Sequence, residues 1–200
     1  MSKELEVARE LVKMLEEKEK ESKVVLSDLQ VGETFPMAGH DFIVLDHDYP
    51  QKGYTAVISK DLWGKNVKFG DFRDYNKSNL KKIMDNVAVE IEKEVGAENV
   101  LEHEIPLLSV DMQNEFDLCS CKVRPLTFDE ARGFNDLLVN KELPDWYWTL
   151  TPWSTEERRY KHSIAVVSPS GFINNFICNG NDGVRPFCIL KSNIFVSKGE

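Results

Sequence analysis

Long hydrophobic runs are missing from this chain. No apolar stretch nears the roughly 18 to 20 residues that cross a bilayer, so a membrane-spanning helix is not expected. Met1 to Glu4 lead into a charged helical segment rather than the apolar core of a signal peptide, which makes a cytoplasmic or virion-associated location the expectation. Cysteine is scarce as well. Cys119, Cys121, Cys178 and Cys188 are too few and too irregularly placed for a secreted disulfide framework. Structural zinc sites pair their cysteines across gaps of about two to four residues, which this spacing does not do, so neither a metal nor a cofactor is expected. Basic charge is in deficit, with 25 Lys and Arg against 34 Asp and Glu and a net charge of −9. The basic residues are not gathered in sequence, so direct binding to a phosphate backbone is not expected. Also missing are a glycine-rich phosphate loop, a nucleophile elbow and a His-Glu-x-x-His helix.

Large apolar side chains, by contrast, are plentiful. Eleven Phe, five Tyr and four Trp among 200 residues supply enough buried surface for one independently folding core. The acidic balance suits a soluble protein, and it also suits a surface that imitates nucleic acid and occupies a basic cleft on another protein.

Residues 1–23 read as a helix of strong helix formers. Leu5, Ala8, Val12 and Leu15 alternate at spacings of three and four, and Ser2, Leu5, Val7, Leu11 and Met14 form a second flank. Such a helix packs on the domain or pairs with a second copy, which makes it the expected route to any homo-oligomer. From Val24 the period changes, and residues 24–200 read as the main domain. Phe42 to Leu45 and Thr55 to Ile58 are short apolar strands, joined by a hairpin connection over Asp46 to Gly53. Leu80, Ile83, Met84, Val87, Ile91 and Val95 have helical spacing, with polar residues ahead to cap it and Gly96 to end it. Thr127 and Glu130 fit a capping box for a second helix. After Pro144 the chain turns to aromatic and β-branched residues, broken by Gly171, Pro186 and the run from Asn179 to Gly183, which is the pattern of short strands joined by turns.

Three elements of this last region carry a resemblance: Trp148-Thr-Leu-Thr-Pro152, then Ala165-Val-Val167 with Gly171, then Gly183-Val-Arg-Pro-Phe187. Together they resemble a bacterial and phage domain family of unassigned function, marked by an aromatic-Leu-x-(Ser/Thr)-Pro element, a central strand pair and a closing G-V-R-P. That family looks like the C-type-lectin-type fold shared by formylglycine-generating enzymes and the variable proteins of diversity-generating retroelements. Looser likenesses at Gly32 to Leu45, Asn76 to Lys82, Ser109 to Asp111 and Leu126 to Glu130 extend it over roughly residues 24–197. The resemblance implies an α+β, C-type-lectin-like domain with short antiparallel strands, two flanking helices and long loops, preceded by the N-terminal helix. In the closing motif, Gly183 reads as a turn residue, Pro186 as fixing the exit angle and Arg185 as a buried or half-buried scaffold residue tying loop carbonyls or a carboxylate together. Trp148 and Pro152 read as pins of the loop region.

Three function classes follow. The first is a non-catalytic, phage- or prophage-encoded protein that recognises a protein or other ligand through its C-terminal loops, where the variable proteins present their ligand contacts. The expected contacts are Trp146, Trp153, Arg158, Arg159, Tyr160, His162, Asn175, Asn179, Asn181 and Asp182, since aromatic and Arg side chains carry most recognition energy and Asn adapts its hydrogen bonds. Phe176 belongs either to that face or to the core. The second is an intracellular phage inhibitor of a host enzyme, acting through its acidic surface or N-terminal helix. The third is a cysteine-dependent enzyme of the formylglycine-generating type. No residue here matches that family's catalytic cysteine pair, so no catalytic residue is assigned. The Glu-Pro-Asn and Trp-Asn-Asp elements of calcium-dependent lectins are also missing, and no calcium-dependent glycan site is expected.

Overall fold

The computed structural model describes residues 5, 7, 9–12, 14 and 23–199. The described N-terminal residues are helical, and Leu5, Val7, Leu11, Val12 and Met14 are all exposed. Ser2, Ala8 and Leu15 of the expected seams, and most of the charged tail after them, lie outside the described residues. Lys23, expected as the end of the helix, instead opens strand β1 (Lys23–Val25), which pairs antiparallel with β14 (Phe195–Ser197). Val24 and Val25 are β-branched and sit beside Val196 and Phe195, so a strand suits them better than a helix. Among the described residues the fold is α+β, mostly strands with few helices, and no helix is long and apolar enough to cross a membrane.

One five-stranded sheet runs in the order β2 (Thr34–Met37), β3 (His40–His47), β4 (Tyr54–Ser59), β13 (Phe187–Lys191), β8 (Val123–Arg124). Its central strands are apolar on successive residues because both faces are covered. Phe42, Val44, Val57, Cys188 and Leu190 join one core, while Ile43, Leu45, Ala56, Ile58, Phe187 and Ile189 join the other. The expected hairpin connection between β3 and β4 is present, and the pair is antiparallel.

The first core is closed by helix α1 (Asn79–Val95), with Leu80, Met84, Val87 and Ile91 buried at helical spacing. Ser78 Oγ accepts from Lys81 N at 2.9 Å as the N-cap, and Gly96, at φ 89°, ends the helix in a conformation that disfavours a side chain. The second core lies under α2 (Phe128–Gly133) and α3 (Asn135–Leu138), which Phe134 separates. The Thr127 and Glu130 capping box forms as the sequence predicts.

The other five-stranded sheet has the order β11 (Ile173–Ile177), β10 (Ser163–Val167), β9 (Tyr147–Pro152), β12 (Asn181–Val184), β5 (Gly64–Lys68). A small ribbon of β6 (His103–Ile105) and β7 (Cys119–Cys121) completes the fold. Two expectations change here. The run from Asn179 to Gly183 is not one turn, because Asn181 onward is strand β12. Gly183 is not required by a left-handed turn either; it is required by crowding. A Cβ there would lie 2.6 Å from Leu62 Cδ1 and 2.8 Å from the Trp146 carbonyl oxygen, which accepts from Gly183 N at 2.7 Å.

Arg185 is buried and ties the loops from inside. Its Nε donates to Ser59 O at 2.9 Å and its Nη1 to Leu138 O at 3.1 Å, with the guanidinium over the Tyr147 ring. Trp148 is fully buried and its Nε1 donates to Val67 O at 2.7 Å, tying β9 to the edge strand β5 across β12.

Candidate functional site

The pocket nearest the expected contacts sits on the second sheet. Strand alternation gives β9, β10 and β11 a common face: Val166 lies opposite Trp148 on one side and opposite Asn174 on the other, with Phe176 two residues further along β11. The single parallel bridge from Tyr147 to Gly183 then brings β12 alongside, so Asp182 joins Trp146. Asp145, Trp146, Val166, Asn174, Asn175, Phe176, Asn181 and Asp182 line a cavity of about 340 Å³. Four of the ten expected contacts converge there: Trp146, Asn175, Asn181 and Asp182. Phe176, open between core and surface in the sequence, is 41% exposed and leans on Trp148 with ring centroids 6.0 Å apart. Phe172 packs edge-on against Trp146 at 6.1 Å.

Asp182 is the unusual member. It is only 6% exposed, yet no hydrogen-bond donor of the described residues reaches its carboxylate. Burial pushes its carboxyl up to about 7, and the neighbouring Asp145 charge adds to the rise. Asp145 itself accepts from Trp146 N at 2.9 Å. The pocket therefore offers acceptors and aromatic edges, with no cation among the described residues that line it.

Trp153, Arg158, Arg159, Tyr160 and His162 lie on the loop from β9 to β10, away from that cavity. Internal contacts hold this loop. Trp153 N donates to Ser163 O at 2.8 Å and Tyr160 N to Thr155 O at 3.1 Å. Arg159 takes a left-handed φ of 71° while its N–H donates to Glu156 O at 2.9 Å. Arg158, expected to face a ligand, pairs instead with Asp111, which also accepts from Ser109 Oγ and Ser154 Oγ at 2.6 Å each. The two hydroxyls, with Arg158, hold the Asp111 carboxyl down to about 2. Beneath the loop, Arg73 is almost fully buried: its Nε donates to Lys161 O at 2.7 Å, its Nη1 to Ser154 O, and its Nη2 to the Glu115 carboxylate at 2.8 Å. Sequence reasoning missed Arg73, because its partners come from segments far along the chain. Asn179 is exposed at the turn between β11 and β12 and does not line the cavity.

His162 stands beside Cys178, with Nδ1 4.0 Å from Sγ, a pairing the sequence did not announce. Burial pushes the Cys178 thiol up, which favours the unreactive protonated form. All four cysteines are buried free thiols, and Cys119 and Cys121 are the nearest two, one residue apart on β7. Among the described residues no group of three His, Cys, Asp or Glu is placed to hold a metal.

A second cavity, of about 370 Å³, contains a buried charge network that sequence reasoning did not find. Arg124, 1% exposed, donates from Nη1 and Nη2 to both oxygens of Glu130 at 2.6 Å. Tyr49 Oη donates to Glu130 Oε1 at 2.7 Å, Thr127 N donates to Oε2 at 2.8 Å, and Arg124 Nε donates to His103 Nε2 at 3.0 Å. Burial works against ionisation of Glu130, but Arg124 and these donors outweigh it and hold the carboxyl near 2. Burial, with Arg124 alongside, pushes His103 down, so its Nε2 is free to accept. The only trace in sequence was Glu130 itself, legible as a capping-box residue.

Comparison with known proteins returned no matching family model, no matching curated protein and no matching solved structure.

Proposed function

We propose that this chain is a non-catalytic binding protein, organised as a C-type-lectin-like domain, that recognises a protein ligand through the face built by its last fifty-odd residues. Short antiparallel strands, two helical layers and long loops support the domain reading. The observation that carries the function is the convergence of Trp146, Asn175, Asn181 and Asp182 on one cavity with an unpartnered acid. Binding surfaces gain most from half-buried aromatic anchors flanked by polar groups that await a partner. Nothing in the same face supplies an activated nucleophile, since the nearest cysteine is buried and held as a thiol.

A second reading, binding through the N-terminal helix, draws on the exposed Leu5, Val7, Leu11, Val12 and Met14. Affinity capture from cell lysate separates the two. Four baits are compared: the wild-type chain, Trp146→Ala, Trp153→Ala/Tyr160→Ala, and a chain lacking residues 1–22. A partner lost with Trp146→Ala supports the pocket face. A partner lost only with the truncation moves recognition to the helix, and one retained by every bait overturns both.

A further inference from the structure

The Asp182 pocket is acidic in a way that the protein does not correct. Asp182 is a residue only 6% exposed, and a carboxylate so placed normally has a hydrogen-bond donor or a cation of its own, because desolvation otherwise opposes its charge. Here the second acid in the cavity, Asp145, adds repulsion. The remaining lining is Asn174, Asn175 and Asn181, whose amide oxygens accept hydrogen bonds, with Trp146 and Phe176 as aromatic walls and Val166 as an apolar floor. Asn174 Oδ1 is already used by Asn175 N at 2.8 Å, which leaves Asn175 and Asn181 as the adaptable pair. Among the described residues no Lys, Arg or His lines the cavity.

Resting on the binding reading above, we propose that this pocket receives a guanidinium group, as carried by an arginine side chain or a small guanidino compound. A guanidinium fits this lining on three counts. It presents five N–H donors in one plane to acceptors spread over several strands, and it can bridge both oxygens of Asp182. It is weakly hydrated and stacks on aromatic faces, so Trp146 and Phe176 favour it over a strongly hydrated ammonium. The cavity holds the group with part of its aliphatic stem, which Val166 and the aromatic walls can cover. A divalent metal fits less well: among the described residues no group of three His, Cys, Asp or Glu is placed to hold one, and the aromatic walls offer it no ligand. The net charge of −9 steers any such cation toward the protein.

The test uses the full chain and three probes: agmatine, the peptide Gly-Gly-Arg-Gly-Gly, and the same peptide with citrulline, the neutral isostere, in place of arginine. Binding is followed by calorimetry and by NMR shifts of the Trp146 indole N–H, at pH 8 and pH 5.5. The expected result is a saturable response to both guanidinium probes and at least tenfold weaker binding of the citrulline peptide. Asp182→Asn and, separately, Asp145→Asn should weaken binding about tenfold, each variant being checked for an unchanged circular dichroism spectrum. Binding should also weaken at pH 5.5, where Asp182 is protonated and Asp145 is the other titratable group facing it. Tighter binding of the peptide than of agmatine assigns the guanidinium to a polypeptide, and the reverse order assigns it to a small molecule; both support the site. Equal response to arginine and citrulline peptides, or guanidinium binding indifferent to Asp182→Asn, overturns the proposal. A captured partner that depends on Trp146 alongside silent guanidinium probes also overturns it, while leaving the broader binding reading in place.

Discussion

Two cavities of similar size each contain a buried acid, and the two acids are treated in opposite ways. Glu130 sits against Arg124 with every oxygen bonded, and its carboxyl is held near 2. Asp182 meets no donor among the described residues and one like charge, and its carboxyl is pushed up to about 7. Burial opposes the charge at both sites, so the difference lies in the partner. A satisfied acid is part of the scaffold: it locks α2 to β8 and has nothing left to offer a ligand. An unsatisfied acid is a standing cost to the fold, and such costs gather where a ligand repays them.

That contrast can be broken most severely at the scaffold site. Arg124→Met leaves Glu130 buried without its cation and should cost about 3–5 kcal/mol of unfolding free energy, measured by urea denaturation at pH 7. Arg124→Met/Glu130→Leu should recover most of that loss, because a packed apolar pair replaces the ions. The second prediction concerns the close packing of β12 beside the pocket: Gly183→Ala drives a methyl into Leu62 and the Trp146 carbonyl and should cost about 2–3 kcal/mol in thermal unfolding, displacing Trp146 from the pocket.

The pH dependence then sharpens the comparison. Asp182 binds its proton more tightly folded than unfolded, so its contribution favours the fold at low pH and is lost as pH rises from about 4 through about 7. Glu130 behaves oppositely, with stability present above its ordinary value near 4.5 and lost as pH falls toward 2. Asp182→Asn should therefore stabilise the protein at pH 8 by about 1–2 kcal/mol and leave it nearly unchanged at pH 4, as read by denaturation at both values. A stability profile that keeps its slope between pH 4 and pH 7 in Asp182→Asn would assign that slope elsewhere. The smallest effect belongs to the surface loop: Arg158→Ala removes a half-exposed ion pair with Asp111 and should change stability by less than about 0.5 kcal/mol.

The domain as far as helix α2 was legible where its signals are local. The helical spacing from Leu80 to Ile91, the capping box at Thr127 and the turn between β3 and β4 each depend on residues a few positions apart, and all form as read. Apolar runs at Phe42 to Leu45 and Thr55 to Ile58 likewise announced strands, and the structure shows them covered on both faces. Arg185 was recognisable as a buried tie from its place between Gly183 and Pro186, although Gly183 serves close packing rather than a turn. The site was only partly legible. Composition pointed to the C-terminal region and grouped two separate surfaces: Trp146, Asn175, Asn181 and Asp182 share the cavity, while Trp153 to His162 form a loop held by Arg73 and Asp111.

By itself, then, the sequence determined the helix spaced from Leu80 to Ile91, the capping box at Thr127 and the apolar strands around Phe42 to Leu45 and Thr55 to Ile58. Those are properties of spacing, and spacing is written along the chain. Only the tertiary structure decided which charges meet. Strand β9 lies between β10 and β12, out of sequence order, and that crossing sets Trp146 beside Asp182 and Arg73 beneath residues 154–161. The same chemistry, a buried carboxylate, thus became a structural lock at Glu130 and an open acceptor at Asp182, because a cation is brought by the fold to one and to the other it is not.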